Sequence, residues 1–408
     1  MRSSCPDHGD AVRPFLADKR FHVAVEPFID RANERRAPDE WGGTYDHVHL
    51  SRDLYIDLTE RCNFHCPICY TNADGRGPTA DLTREEIFAG IDRLPPGVVV
   101  SLLGGEPTLR EDLPEIVRYV VRRGHVLKLI TNGSLLTDER IAELRDAGLR
   151  WVILQFDGFS DEAYVRLRGR PLLAQKLAVI DRLARHGMII VLASMIVPGV
   201  NDDQVGRILH FALCHPRIVQ IGFLPASDIG RNRIGQGPGE LETPAFIDLL
   251  AAQTGGRIGL ADFVRNVRLG HAYTRLTGNL AYKARTCCNG LFLYHEGYSG
   301  EDAARSWTEP DPAALHAGKT LEPVDRALAS GRWLRHPGRV AGALKTIAGW
   351  NRAPVHPNLF GIVIEKFRSR AALDFDDAKN CTKVYLTRDG FIPNCVYNIL
   401  YRPGRADG

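Results

Sequence analysis

The chain has 408 residues, of which 44% are hydrophobic and 25% are charged, a balance typical of globular proteins. The formal net charge of +3 is too small to predict binding to nucleic acid. Nine cysteines are an odd number, which argues against a disulfide framework and favours metal chemistry. The N-terminus is polar and shows no secretory signal, so we expect a cytoplasmic protein.

Short β-rich runs alternate with helical patterns between residues 53 and 235. The strand-like runs are 54–58, 98–103, 126–130, 151–156, 189–196 and 218–224. Amphipathic helical patterns lie between them at 83–93, 112–123, 138–147 and 173–186. Thr83 and Glu86 form a capping-box signature, and Gly124, Gly148 and Gly187 mark helix ends. Six such units predict an α/β fold, a partial (β/α)6 barrel of the TIM type with its site at the carboxyl ends of the strands.

Three cysteines follow the first predicted strand, with Cys62, Cys66 and Cys69 spaced as C-x3-C-x2-C. Cysteine thiolates are the usual ligands of iron–sulfur clusters, and three of them can hold three irons of a [4Fe–4S] cluster. The fourth iron then receives no ligand from this motif and can bind a small molecule. A structural zinc site would need four closed ligands, and the chain has no second C-x2-C.

A Gly-Gly-Glu-Pro segment follows the second predicted strand and comprises Gly104, Gly105, Glu106 and Pro107. Two glycines allow a backbone to approach a ligand closely. The neighbouring carboxylate can accept hydrogen bonds from an ammonium group. The same four residues also make a plausible turn, so their meaning depends on the cysteine motif beside them.

With these two motifs, the chain resembles the radical S-adenosylmethionine (SAM) superfamily over about residues 53–235. The resemblance implies that Cys62, Cys66 and Cys69 hold a [4Fe–4S] cluster whose open iron is chelated by SAM. It implies that residues 104–107 bind the SAM amino group. It also implies an external reductant such as flavodoxin or ferredoxin, and a 5′-deoxyadenosyl radical that abstracts hydrogen from an sp³ carbon.

The resemblance implies further cofactor-binding residues at the ends of the later strands. They are Asn132, Gln155, Asp157, Arg168, Ser194 and Leu224. Relatives place an arginine against the SAM carboxylate, which is the role implied for Arg168, and adenine often packs where Leu224 lies. Each position also has a simpler interpretation, because polar residues and glycines cap turns and Arg168 can be a surface residue of a helix.

Ile68 precedes the third cysteine, where many superfamily members have an aromatic residue. This pattern is similar to the branch of archaeal tetraether-lipid synthases and pterin-alkylating radical SAM enzymes. Residues 5–9 and 381–398 resemble elements before and after the barrel in that branch. The N-terminal metal knuckle is missing, because Cys5 and His8 cannot close a zinc site, so we expect no metal there.

We expect an N-terminal extension at 1–52, the barrel at 53–235, a helical linker region at 236–285 and a C-terminal domain at 286–408. The last region contains Cys287, Cys288, Cys381 and Cys395, which we predict to bind a second [4Fe–4S] cluster. One alternative is that the adjacent pair binds a thiophilic substrate such as trivalent arsenic. Another is that these cysteines are buried in a small domain.

Residues 331–352 carry basic residues and two tryptophans but no acidic residue. A basic amphipathic helix can lie on an anionic membrane surface, which would give a peripheral membrane contact. The alternative is a helix that packs on the barrel with its charges in solvent, and Pro337 limits any helix to the later half.

The expected reaction is hydrogen abstraction from an sp³ carbon, followed by carbon–carbon bond formation or alkylation of a lipid or small molecule. Three alternatives remain open. The first is an enzyme that transfers the aminocarboxypropyl group of SAM to a soft acceptor such as trivalent arsenic. The second is an enzyme that modifies a peptide. The third is an iron–sulfur sensor or scaffold without enzymatic activity. The Gly-Gly-Glu-Pro segment argues against a sensor, which has no need of a SAM amine site. The sequence does not predict an oligomeric state.

Overall fold

The structure, a computed structural model, describes residues 2–5, 9–12, 20–28, 53–73, 81–227, 229–232, 241–277, 288–295, 318–320, 359–367, 378 and 381–402. The basic amphipathic segment 331–352, with its predicted membrane contact, lies outside these residues, as does Cys287. None of the described helices is both long enough and apolar enough to cross a membrane.

The strands, in chain order, are β1 (Arg2–Cys5), β2 (Gly9–Val12), β3 (Asp53–Thr59), β4 (Ile68–Cys69), β5 (Val99–Gly104), β6 (Val126–Thr131), β7 (Trp151–Gln155), β8 (Ile189–Ile196), β9 (Ile218–Pro225), β10 (Arg231–Asn232), β11 (Cys288–His295), β12 (Gly318–Thr320), β13 (Leu359–Glu365), β14 (Lys383–Thr387) and β15 (Gly390–Pro393). The α-helices are α1 (Arg20–Val25), α2 (Arg84–Asp92), α3 (Leu113–Arg122), α4 (Asp138–Asp146), α5 (Asp161–Arg168), α6 (Leu173–Arg185), α7 (Val205–Cys214), α8 (Thr243–Gln253) and α9 (Leu260–Thr277). A short helix, Asn394–Val396, continues into a π-helical turn, Tyr397–Tyr401.

Six parallel strands form the centre of the main sheet, in the order β9-β8-β7-β6-β5-β3. Each coincides with one of the strand-like runs, so the predicted α/β partial barrel is confirmed. Strand β6 illustrates the alternation of its side chains. Leu127 and Leu129 pack into the core between sheet and helices, whereas Lys128 and Ile130 face the lumen. The lumen therefore receives every second residue of each strand.

Helix boundaries follow the sequence signals. Thr83 Oγ1 accepts a hydrogen bond from Glu86 N at 3.1 Å, and Glu86 Oε2 accepts one from Thr83 N at 2.8 Å, which confirms the capping box of α2. Gly124, Gly148 and Gly187 follow α3, α4 and α6 with φ of 77°, 112° and 70°. Glycine adopts these angles without the steric cost that a Cβ would add.

Two strands from the C-terminal region extend the parallel sheet on both sides. Strand β13 pairs with β9 and β14 pairs with β3, both in parallel, which makes eight parallel strands among the described residues. The ammonium of Lys383 on β14 lies 2.8 Å from the carboxylate of Glu365 on β13. Because these strands are the first and last of the eight, the sheet must curl around the lumen for this ion pair to form. The predicted division at residues 285/286 stays a prediction.

Candidate cofactor site

A cavity of about 420 Å³ occupies the barrel lumen, a size within the usual range for small-molecule sites. Its lining includes Cys62, Cys66 and Cys69. It also includes six of the residues assigned to cofactor binding from the sequence, namely Gly104, Gly105, Asn132, Gln155, Arg168 and Leu224. The structure therefore brings these side chains and backbone segments to one cavity, at the carboxyl ends of the strands.

The loop that carries Cys62, Cys66 and Cys69, here called the cysteine loop, is held by hydrogen bonds to its backbone and sulfur atoms. Phe64 N donates a hydrogen bond to Cys62 Sγ at 3.4 Å, and the Thr71 hydroxyl lies 3.1 Å from Cys69 Sγ. Arg231 Nε donates to the carbonyl oxygen of Cys66 at 2.9 Å. The three thiols are half-buried and are not joined by disulfides. These contacts fix the loop while leaving the sulfur atoms at the cavity.

The two glycines of the second motif pack against the backbone that enters the cysteine loop. Gly104 has φ of 124°, and a Cβ there would lie 2.4 Å from Thr59 O. A Cβ on Gly105 would lie 2.1 Å from Arg61 O. Gly105 N donates to Thr59 O at 2.7 Å and Glu106 N donates to Arg61 O at 2.9 Å. Only glycine allows these two segments to approach so closely.

The carboxylate of Glu106 is fully buried and is already occupied by donors from the protein. It accepts hydrogen bonds from the Thr108 amide at 3.1 Å, the Thr131 hydroxyl at 2.7 Å and the Asn132 amide at 2.8 Å. The Thr108 hydroxyl donates to it as well. This arrangement differs from the expectation that the carboxylate accepts from a ligand ammonium. The backbone of Gly104 and Gly105 faces the cavity instead, while Pro107 is buried.

Arg168 forms a buried, bidentate ion pair with Asp157, so it is not a surface residue of α5. Its Nε and Nη2 donate to the two carboxylate oxygens at 2.6 and 2.9 Å. Asp157 also accepts from Met195 N at 3.0 Å and from the side-chain amide of Gln155. Arg168 Nη1 donates to Ile68 O at 3.3 Å. The pair therefore connects the fourth and fifth strands of the barrel to the cysteine loop.

Ser194 does not reach the cavity. Its hydroxyl is fully buried and donates to the carbonyl oxygen of Phe156. Asn201, in the same loop region, donates from Nδ2 to the carbonyl oxygens of Asp157 at 2.8 Å and Met195 at 2.7 Å. These contacts join neighbouring strand ends, so they support the simpler, turn-stabilising interpretation of both residues.

Lys176 was missed by the sequence analysis. It is 1% exposed, and its ammonium donates to Asn132 O at 2.6 Å and to Gln155 Oε1 at 2.5 Å. Burial lowers the pKa of Lys176 from its ordinary 10.5 to about 7. One sequence signal could have revealed Lys176. It lies three and four positions before the buried Val179 and Ile180, on the apolar face of α6.

The C-terminal turn contacts the cysteine loop from the other side. Arg402 Nη1 lies 2.9 Å from Asp57 Oδ2 and 3.5 Å from Thr71 O, and the Tyr397 hydroxyl donates to the same Asp57 oxygen at 3.2 Å. Arg402 also lies over the ring of Tyr70, the residue after Cys69. Burial raises the pKa of Asp57 despite this arginine. No local pattern in the sequence indicates this contact, because its partners are more than 300 positions apart.

Comparison with known proteins agrees with this geometry. Residues 56–212 match the family model of the Radical SAM superfamily. This part of the chain is a radical SAM domain. A 7,8-dihydro-6-hydroxymethylpterin dimethyltransferase from Methanocaldococcus jannaschii is 33% identical over 280 residues, 64% of this chain and 55% of the relative. A GTP 3′,8-cyclase from Rhodopseudomonas palustris is 30% identical over 50% of this chain and 60% of the relative.

The chain spans between half and two thirds of the length of these curated relatives. Among solved structures, Streptococcus suis SuiB bound to S-adenosylmethionine matches with a TM-score of 0.44 and 16% identity, over 55% of this chain and 51% of that one. Methylornithine synthase matches with a TM-score of 0.41 and 18% identity, over 59% of this chain and 71% of that one.

The cysteine loop of the radical SAM domain fits an iron–sulfur cluster. Burial raises the pKa of the Cys62 thiol to about 12 and also raises the pKa of Cys66, so these thiols stay protonated until a metal displaces the proton. No three Cys, His, Asp or Glu side chains in the described part of the chain converge on a point that could hold a single metal ion. A cube does not need such a point, because each thiolate binds a different iron.

The C-terminal cysteines are only partly described. Cys381 and Cys395 are half-buried and unbridged, and the Cys381 thiol donates to Lys383 O at 3.2 Å. Cys395 packs beside a small apolar cluster that includes Ile399. Cys288 begins β11, but its side chain and the whole of Cys287 lie outside the described residues. The second [4Fe–4S] cluster on these four cysteines stays a prediction.

Proposed function

We propose that this protein is a radical SAM enzyme that reductively cleaves SAM and alkylates, or forms a carbon–carbon bond on, a lipid or small molecule. The observation that carries the proposal is that three unbridged cysteines and the backbone of Gly104 and Gly105 line one cavity of the radical SAM domain. When bound, the cluster supplies the electron that splits SAM into methionine and the hydrogen-abstracting 5′-deoxyadenosyl radical. The electron comes from an external reductant of the flavodoxin or ferredoxin class.

The residues of the chain position SAM and exclude water. We assign Cys62, Cys66 and Cys69 as cluster ligands and the carbonyl groups of Gly104 and Gly105 as acceptors for the SAM ammonium. Arg168 is paired with Asp157, and this carboxylate would weaken the attraction of the arginine for a SAM carboxylate. Apolar side chains line the lumen around these groups, and they would keep water from a reactive radical. They include Leu103, Ile130, Ile153, Met195 and Leu224.

The class of reaction is supported by the name of the similar Methanocaldococcus jannaschii protein, which adds two methyl groups to a pterin. A radical route to a new carbon–carbon bond at an unactivated sp³ carbon begins by breaking a C–H bond there. The 5′-deoxyadenosyl radical would take that hydrogen and become 5′-deoxyadenosine, which would leave a substrate radical able to bond to a second carbon. The proposed substrate class is a lipid or a small molecule. Aminocarboxypropyl transfer to a thiophilic acceptor is a separate outcome of the test below. A peptide-modifying enzyme is the alternative that would give the same SAM cleavage product as the proposed function.

The test is anaerobic reconstitution with iron and sulfide, followed by addition of SAM and a reductant and identification of the cleavage product. We expect 5′-deoxyadenosine, and we expect Cys62→Ala to abolish it. The matched control is Cys214→Ala, which removes a half-buried thiol of α7 away from the cysteine loop and should leave the product yield unchanged. Methylthioadenosine would instead indicate aminocarboxypropyl transfer. Absence of both products would refute the enzymatic function and leave the iron–sulfur sensor or scaffold.

A further inference from the structure

Four charged side chains face the lumen, and the proposed cluster and SAM contacts use none of them. They are Asp53, Lys128, Glu365 and Lys383, and we name them the lumen charge group. They line the same cavity as the cysteine loop but come from four different strands, β3, β6, β13 and β14. Charged side chains rarely face a protein interior without a partner or a ligand.

Three members of the lumen charge group have partners in the structure. Asp53 accepts hydrogen bonds from the Tyr55 and Ser101 hydroxyls, each at 3.3 Å. Lys383 pairs with Glu365 at 2.8 Å, which connects the two outermost parallel strands. These contacts explain how three charges are tolerated in the lumen without any ligand.

Lys128 differs, because its ammonium donates no hydrogen bond to any residue that the structure describes. It lies 5.4 Å from the centre of the Trp151 ring, and its electrostatic neighbours are Asp53, Glu365 and Lys383. A cation–π contact provides attraction but no hydrogen-bond acceptor. The three N–H donors of this half-buried ammonium therefore face the cavity and find no acceptor among the described residues.

Building on the function proposed above, we propose that Lys128 donates to a ring carbonyl of the substrate, and that this substrate is a neutral, polar nitrogen heterocycle rather than a lipid. The two cations and two carboxylates of the lumen charge group balance each other. A charged ligand would add an unbalanced charge to this group, whereas a neutral ring would not. A ring carbonyl satisfies Lys128 and keeps this balance.

The remaining lining suits the other edge and the face of such a ring. A carboxylate has about four lone-pair directions, so Asp53 can accept a ring N–H besides its two hydroxyl donors. Tyr55 and Tyr385 are stacked with their ring centres 5.4 Å apart and both line the cavity, which offers an aromatic wall. An alkyl chain in the same place would leave the Lys128 ammonium buried without an acceptor, which is costly.

The experiment measures binding by calorimetry on the anaerobically reconstituted full chain with SAM present. The ring probes are 6-hydroxymethylpterin and uracil, and the alkyl probe is cyclohexane, which has no hydrogen-bond acceptor. We expect Lys128→Met to weaken binding of the better ring probe about tenfold or more, since its bond to a charged donor is lost. Arg118→Met removes an exposed positive charge from α3 and serves as the matched control, with no expected change.

Unfolding midpoints show whether each variant is folded, and Lys128→Gln provides a second neutral variant of similar length. The proposal is overturned if both variants bind the ring probe as tightly as the wild type. It is also overturned if the wild type prefers cyclohexane or binds neither ring. The same wild-type preparation is assayed for 5′-deoxyadenosine without any probe. Failure of that assay refutes the proposed function, whereas failure of the binding assay alone refutes only the assignment of the substrate.

Discussion

Replacing Asp157 by Asn tests whether the buried ion pair with Arg168 supports the cysteine loop. Asp157 is fully buried, and it accepts two hydrogen bonds from Arg168, one from Met195 N and one from Gln155. Asn keeps the shape and one acceptor oxygen but leaves the guanidinium of Arg168 buried without a counter-charge. Removing one partner of a buried pair typically costs about 3–5 kcal/mol, a large part of the 5–15 kcal/mol that stabilises a domain.

The assay is urea unfolding of the apo protein, followed by iron counting after reconstitution. We expect Asp157→Asn to lower the unfolding midpoint strongly and to reduce iron bound, because Arg168 also holds Ile68 O inside the cysteine loop. The matched control is Asp138→Asn, since Asp138 is half exposed and contacts His186 at 2.8 Å and Arg185 at 3.3 Å on the surface. Exposed pairs contribute about 0–1 kcal/mol. If both variants lose similar stability, the argument from burial is refuted.

Three further predictions concern single side chains. The folded-state pKa of Lys176 lies below its unfolded value, so folding releases a proton between about pH 7 and 10.5 and stability rises with pH in that window. Lys176→Met should remove up to about 1.4 kcal/mol per pH unit of that rise, measured by urea unfolding at pH 7 to 9. Thr71→Val removes the hydroxyl beside Cys69 Sγ and should lower the potential of the reconstituted cluster by about 20–60 mV in an EPR redox titration. An unchanged potential would show that no such hydrogen bond forms. Gly105→Ala should destabilise the apo protein by about 1–3 kcal/mol or more, because the new Cβ meets a backbone carbonyl at 2.1 Å. Gly259→Ala, where a Cβ meets nothing within 4 Å, is its control, and equal melting temperatures would contradict the steric argument.

The barrel core was predictable because its signals are local. Strand-like runs, helix caps such as Thr83 and glycines at helix ends each depend on a few neighbouring residues. The cysteine spacing likewise placed three thiols on one loop after β3. Such local patterns predict the folded structure well, because they do not depend on contacts with residues that are distant along the chain.

Contacts between distant segments were not predictable in the same way. Strand β14 could be seen as a short apolar run, but its pairing with β3 joins residues more than 300 positions apart. The internal hydrogen bonds of Glu106 were not predictable either, because its partners lie at the end of a different strand. Thr131 is the last residue of β6 and Asn132 follows it. A carboxylate next to two glycines gives no local sign that it accepts four hydrogen bonds from within the protein. The same limit applies to Lys128, whose surroundings come from four strands.

The C-terminal π-helical turn and Arg402, which follows it, bring several of these distant contacts together at the cysteine loop. Arg402 pairs with Asp57 on the strand before the cysteine loop and lies over Tyr70 immediately after it, so one side chain contacts both ends of the loop. Strand β14, just before that turn, pairs with β3 and also supplies Lys383 to the lumen charge group. The C-terminal region therefore touches the proposed cluster site and the proposed substrate site through one continuous segment. Because that segment reaches both, changes in it are expected to affect cluster assembly and substrate binding together, whereas changes at Lys128 should affect substrate binding alone.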